Sequence, residues 1–418
     1  MNFVDKSAIK FPLATEMAVV VLFMGAWLFP VVASWGVAIT GRKFSYVAPH
    51  FQSQNVEIVG MCILVALASG IVAAVVALSC LDKMSRFRLS ITMVHKINGA
   101  QRFFLISVAL IAAIGLFKSF GGTIFEKSYE GPSIAWLGYG AWSVTFLLSI
   151  NLLVGDFIAT RSFKPAIVVV LSTIFLPFLL SGSRIDFLSS MLVLVAYMLF
   201  LHNAKLGFRV LWALAILAWA AIVVSFIGQA RYVFFDTSLS FSPFIPVGIV
   251  DGMIYLSTFG DLGASVFQIV GLVQGQIDSV VGMETAALTY AARLLPGPFF
   301  SNRPGDFWLT LSEPIGGGAL HSLGEGYLIF GLAGCALMGV IFGVLAAISI
   351  FAGNYFRSTG SPVWWVIFAF PWLLLIRGGW YQFFSILKSI EVLVFLFLLL
   401  AAIEWMRIRY LKYDSSVG

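Results

Sequence analysis

Along this chain, apolar residues gather in long uninterrupted blocks and polar residues collect between them. The blocks lack the strict alternation of a half-buried strand. They also lack the one-sided stripe of a soluble helix. Being apolar all round, they read as helices whose solvent is lipid. About ten are long enough to span a bilayer: residues 17–37 (kinked near Pro30), 56–81, 103–117, 134–154, 165–180, 185–201, 210–227, 326–352, 362–376 and 390–405. In lipid every backbone polar group must be satisfied internally, and without alternation a barrel is excluded, so the spans are helical.

Composition agrees. The chain is 60% hydrophobic and 11% charged, with a mean hydropathy of +1.00, whereas a soluble domain carries about a quarter charged residues. The expected fold class is therefore an all-α polytopic integral membrane protein. The first block is too long for a signal-peptide core and lacks a cleavage site, so it is expected to be retained. Cys62, Cys80 and Cys335 sit within apolar blocks without ligand spacing; they read as packing residues and imply neither a metal nor a disulfide framework.

Charge sets the expected orientation. Lys83, Arg86, Arg88, Lys96 and Arg102 follow the second block, and the positive-inside rule assigns that loop to the cytoplasm. Counting from it puts both termini inside. Arg161, Lys164, Lys205, Arg209, Arg357 and the tail Arg407, Arg409 and Lys412 then share that side. Most acids fall opposite, among them Asp236, Asp251, Asp261, Asp278, Asp306 and Glu313. The net charge of +6 thus reflects membrane orientation and gives no reason to expect a nucleic-acid partner. Three regions follow: an N-terminal bundle of about seven spans (1–227), a large outer loop (228–325) with short apolar helices at 247–255, 262–273 and 280–295, and a C-terminal bundle of about three spans with a cytoplasmic tail (326–418).

Candidate chemistry collects around residues 294–334, where Arg303, Asp306, Glu313, His321 and Glu325 interrupt an apolar chain amid glycines and prolines. His321 and Glu325 stand four residues apart, on one face of a helix that begins early. Both side chains are readily tuned as general bases. An alternative reading makes Ser322 and Glu325 a capping box at the start of the eighth span. Elsewhere on the outer side, Arg184 closes the tight Ser181-Gly182-Ser183-Arg184 connection. Arg377 precedes Gly378-Gly379-Trp380-Tyr381. Arg231, Arg293 and Arg303 lie in the large loop. Guanidinium groups beside small residues suit a phosphate, and Tyr381 beside Arg377 suits a sugar face. The pattern points to an anionic, membrane-bound substrate such as a lipid-linked diphosphate. No His/Cys/Asp cluster has metal-ligand spacing.

Ser181-Gly182-Ser183-Arg184, Leu295-Pro296-Gly297-Pro298 and above all Gly324-Glu325-Gly326-Tyr327-Leu328-Ile329-Phe330-Gly331-Leu332-Ala333-Gly334 resemble the Wzy-type polymerases, which join lipid-linked oligosaccharide repeat units of O-antigens and related surface polysaccharides. That resemblance implies a fold similar to the GT-C-like membrane glycosyltransferases, with ten to twelve helices. It implies a bacterial inner-membrane location with catalysis on the periplasmic face. It also implies undecaprenyl-diphosphate-linked oligosaccharide as substrate, no cofactor, and a chain-length regulator as partner. Arg184, Arg377, Arg303, Arg293, Arg231 and Tyr381 would hold the diphosphate and glycan, and His321 or Glu325 would act as base. An O-antigen ligase uses the same donor and predicts a similar layout. A flippase or transporter of lipid-linked sugars would instead leave ionisable residues inside the bundle.

Overall fold

The computed structural model describes residues 13–39, 55–86, 97–119, 139–161, 191–201, 205–235, 260–271, 273–274, 321–375, 395–396 and 398–406. Among these, every regular element is helical and there is no strand. In chain order the helices are α1 Leu13–Ile39, α2 Val56–Arg86, α3 Gly99–Ser119, α4 Tyr139–Arg161, α5 Met191–Leu201, α6 Leu206–Phe235, α7 Gly260–Gly271, α8 Ser322–Phe330, α9 Leu332–Thr359 and α10 Pro362–Leu374. A terminal helical stretch, α11, covers 398–406. The windows Thr15–Gly36, Val56–Lys83 and Leu332–Thr359 are long and apolar enough to cross a membrane; α3, α4, α5, α6 and α10 contribute shorter apolar stretches. Leu64, Val72, Phe103, Leu110 and Leu211 all face outward. Such apolar surfaces are expected of a membrane-embedded bundle and would be untenable in water.

The core is organised around α2 and α9, the most extensively packed pair. Their contact follows from small residues at i, i+4 spacing. Ala66 and Gly70 on α2 face Gly339 and Gly343 on α9 in parallel register, and the same spacing continues through Cys62 and Ala74 on α2 and Cys335 and Ala347 on α9. A Cβ at Gly339 would overlap the Ala66 carbonyl oxygen, and one at Gly343 would overlap that of Gly70. Backbones therefore touch, as small-residue ladders permit in membranes. Ser69 Oγ donates across the joint to the Ala336 carbonyl at 2.9 Å. On the other side of α9, Trp372 Nε1–H donates to Ser349 Oγ, which donates to the Phe368 carbonyl, both at 2.9 Å, tying α10 to α9.

Several helix ends differ from what hydropathy alone predicts: α2 runs to Arg86, α4 to Arg161 and α9 to Thr359, each past its apolar block, and two further differences bear on the site. The eighth block is not one helix from 326. It is divided at Gly331 into α8 and α9, because Gly331 takes φ 60° and ψ −139°, a conformation an L side chain resists. Beyond it, the Gly334 backbone lies against that of Gly326, and Cys335 Sγ reaches the Leu323 carbonyl at 3.7 Å. The chain thus doubles back, and α8 is a half-helix folded alongside the start of α9. The seventh block runs on to Phe235, so Arg231 lies within α6 rather than after it. Of the apolar pieces in the large loop, α7 is described. Val266, Phe267, Ile269 and Val270 are buried against α1 and α8, which makes α7 part of the bundle.

Candidate functional site

The first turn of α8 is held by three other helices, and His321 makes most of the joints. His321 has extended geometry (φ −83°, ψ 137°) and is the N-cap: its Nδ1 accepts the Leu323 N–H at 3.1 Å. An imidazole does here what Ser, Asp or Asn usually does. Its other nitrogen, Nε2, is 3.0 Å from the Trp27 carbonyl of α1. With Nδ1 accepting, Nε2 must carry the proton and donate, so the neutral Nε2–H tautomer satisfies both bonds. The backbone N–H of His321 donates to Ser265 Oγ of α7 at 3.1 Å. Proline inside a helix frees a carbonyl and opens the preceding turn. Pro30 leaves the Ala26 carbonyl without its helical donor, and the Trp27 carbonyl that His321 meets lies in the same disturbed turn.

Trp27 completes the joint. Its indole N–H donates to Ser322 Oγ at 2.9 Å. Its ring stacks on His321 (centroids 5.8 Å, 23°) and on Phe342 (4.2 Å, 14°). Phe342 lies ten residues into α9, about 15 Å along a helix axis. His321 is therefore deep in the bundle, although it precedes the span in sequence.

Glu325 follows one turn later, its N–H donating to the His321 carbonyl at 3.2 Å. It is 0% exposed, as charged residues rarely are. The N-terminal end of the α8 dipole favours a carboxylate at this position. Glycines flank it. A Cβ on Gly324 would press Ile269 of α7, and one on Gly326 would meet the Gly334 carbonyl, so α7 and α9 close on α8 around the carboxyl-bearing turn. Tyr327 Oη accepts from Gln274 Nε2 at 3.0 Å.

These observations revise the capping reading. The cap is His321, which puts Ser322 inside the helix, where its hydroxyl serves Trp27. Ser322 and Glu325 therefore do not form a capping box. With its Nδ1 lone pair on Leu323, His321 is a structural cap in this arrangement, and Glu325 is the neighbouring group with proton chemistry to offer. Arg184, Arg293, Arg303, Arg377 and Tyr381 lie outside the described residues, and of Arg231 only the helical backbone is described. Trp27, Ser265 and Gln274 were not candidates by sequence. A tryptophan in an apolar run carries no signal that its indole will meet a hydroxyl 295 residues away or its carbonyl an imidazole 294 residues away.

A second polar cluster marks the end of the bundle where α2 and α9 terminate. Asn98 and Gln101 form a reciprocal cap: Asn98 Oδ1 accepts the Gln101 N–H at 2.9 Å, and Gln101 Oε1 accepts the Asn98 N–H at 3.0 Å. Gln101 Nε2 donates to the Leu400 carbonyl at 3.0 Å, and Asn98 Nδ2 donates to Glu404 at 2.5 Å. Arg102 donates to Asp156 at 2.6 Å; that hydrogen bond and the attached charge raise the guanidinium pKa further. Among the described residues no His/Cys/Asp/Glu group could hold a metal ion. No family model, curated protein or solved structure matches the chain.

Proposed function

We propose that this protein is a membrane glycosyltransferase that polymerises oligosaccharide units carried on a lipid diphosphate, acting on the outer face of the bacterial inner membrane. The observation that carries the reading is Glu325: a carboxyl group fully buried in the first turn of a half-helix, inside an apolar bundle. Ionisable residues at membrane depth are costly, and function is the default explanation for keeping one. The Gly324–Gly334 motif supports the same reading, since its glycines let α8 fold back and bring that carboxyl inside.

In this reaction the acceptor sugar hydroxyl attacks the anomeric carbon of the growing chain. A carbon–oxygen bond to the acceptor forms as the bond to the phosphate breaks. The electron pair leaves with the lipid diphosphate, and the hydroxyl proton passes to a base, which we assign to Glu325. Arg184, Arg377, Arg303, Arg293 and Arg231 are proposed to stabilise the developing diphosphate charge, with Tyr381 against the glycan. His321 acts through Glu325, by fixing the turn that bears it.

One observation favours a second reading. A broken helix with His321 and Glu325 inside the bundle is also how secondary transporters build substrate sites, so a lipid-linked oligosaccharide flippase stands as the rival. An O-antigen ligase shares the donor chemistry. Replacing the chromosomal copy with Glu325→Gln and resolving surface and lipid-linked glycan on gels separates all three. Under the proposal, Glu325→Gln leaves single repeat units at the surface, with membrane protein at the wild-type amount; Arg184→Ala and Arg377→Ala do the same. Polymer accumulating on carrier lipid identifies a ligase, and repeat units retained on the cytoplasmic leaflet identify a flippase. Long-chain polymer persisting in Glu325→Gln removes Glu325 from the chemistry.

A further inference from the structure

Lys205 and Arg209 form a pair of cations that their own helices leave unbalanced. They stand one turn apart where α6 begins, and the Arg209 N–H donates to the Lys205 carbonyl at 3.1 Å. Like charges at this spacing repel, and the positive end of the helix dipole adds to the cost. The first turn of α6 contains no acid. No Asp or Glu stands between Asp186 and Asp236, a stretch that includes all of α5 and α6. Arg209 is nonetheless fixed in place. Its Nη1–H donates at 2.9 Å to the Leu199 carbonyl, in the π-helical turn Tyr197–Leu201 that closes α5. The last carbonyls of a helix lack intrahelical donors, and a cation suits them. Capping α5 accounts for Arg209 alone. Lys205 is exposed and takes no part in it.

The surroundings of the pair suit an amphiphile. Phe208 is exposed on one flank of Arg209, and its ring meets that of Trp212 at a centroid distance of 6.0 Å. Such aromatics collect where hydrocarbon meets headgroups. Leu206 and Leu217, on the other flank, also face outward. The cations at the start of α6 thus give way to an apolar surface along it. We infer that Lys205 and Arg209 bind the phosphate of an anionic phospholipid, whose acyl chains lie along the outward face of α6. Arg209 is half-buried and held from inside by the Leu199 carbonyl, so its remaining N–H donors are offered in a preset direction. A guanidinium matches phosphate oxygens, and Lys205 adds a second charge. A headgroup of net negative charge supplies the counter-charge that α5 and α6 lack, whereas a zwitterionic headgroup brings a cation of its own. This inference does not depend on the proposed reaction.

The full-length protein is reconstituted in nanodiscs of phosphatidylglycerol and phosphatidylcholine in equal parts, released into mild detergent, and its retained lipids are identified by native mass spectrometry. The wild-type protein should keep phosphatidylglycerol in preference to phosphatidylcholine. Lys205→Gln should lower that preference about fivefold, the effect expected of one cation near an anionic headgroup, and Lys205→Arg should preserve it. Lys83→Gln, at the exposed end of α2, controls for diffuse attraction and should leave the preference unchanged. Equal retention of the two lipids by the wild-type protein would overturn the proposal. So would an unchanged preference in Lys205→Gln, or an equal fall in Lys83→Gln. Displacement of the lipid by excess inorganic phosphate would assign the pair to a soluble phosphate and also overturn it. The wild-type preference is decisive even if a variant folds poorly.

Discussion

Two polar clusters stand in this apolar bundle, and they differ in where the cost of polarity falls. At the start of α3, Asn98, Gln101, Arg102, Asp156 and Glu404 pair with one another or with the Leu400 carbonyl. Arg102 has a side chain 42% exposed, so solvent or headgroups share the load. A reciprocal cap and an ion pair are ordinary ways to finish a helix. At the start of α8, by contrast, His321 and Glu325 are 3% and 0% exposed, beside a tryptophan at the middle of α1. Capping α8 required only a serine or aspartate. An imidazole and a carboxyl group at that depth exceed what helix termination demands. Gln101 and Asp156 are buried too, but Arg102 carries the ion pair to the surface, whereas neither ionisable group at the start of α8 reaches it. That difference separates the candidate site from a helix end.

The contrast can be broken most forcefully at Gly334. A Cβ there would overlap the Gly326 backbone, and backbone cannot rotate aside. Gly334→Ala should destabilise the protein by about 3 kcal/mol and abolish polymer, read as thermal unfolding in nanodiscs and as glycan ladders. Wild-type stability would mean that α8 does not fold back on α9.

His321→Ala comes next. It removes the cap of α8 and leaves the Leu323 N–H without its acceptor, for a loss of about 2–4 kcal/mol. His321→Asn restores an acceptor for Leu323 and should recover part of that loss. Equal losses for both variants would show that the bridge to Trp27 matters and the cap does not.

A smaller effect is expected from Trp27→Phe, which keeps an aromatic ring on Phe342 but deletes the donor to Ser322. The cost should be about 1–2 kcal/mol, accompanied by shortened glycan chains. Stability lost without any change in chain length would confine Trp27 to packing.

Smallest is Gln101→Ala at the opposite cluster, about 1 kcal/mol, with the glycan ladder unchanged. The comparison fails if this variant abolishes polymer while Trp27→Phe does not.

How much of this was legible depends on range. The all-helical, membrane-embedded character follows from block hydrophobicity, because lipid imposes one rule on every residue of a span. Helix starts at 56 and 362 fell where the apolar runs began, and His321 and Glu325 stood out as polar residues in an apolar chain. What composition could not settle was their setting. Gly331 looks like one glycine among many, and only its positive φ reveals that the eighth block is two helices. Ser322 and Glu325 satisfy the spacing of a capping box, yet the cap moved one residue earlier because the Trp27 carbonyl was within reach of the His321 ring. Ala66 and Gly339 read as unrelated small residues until the register of α2 on α9 brought their backbones into contact. By itself, then, the sequence determined the solvent, the helical class and the identity of two buried ionisable residues, since each is decided by local chemistry. Tertiary structure alone decided the break at Gly331, the role of His321 and the register of α2 on α9, because those depend on which distant backbone comes within contact.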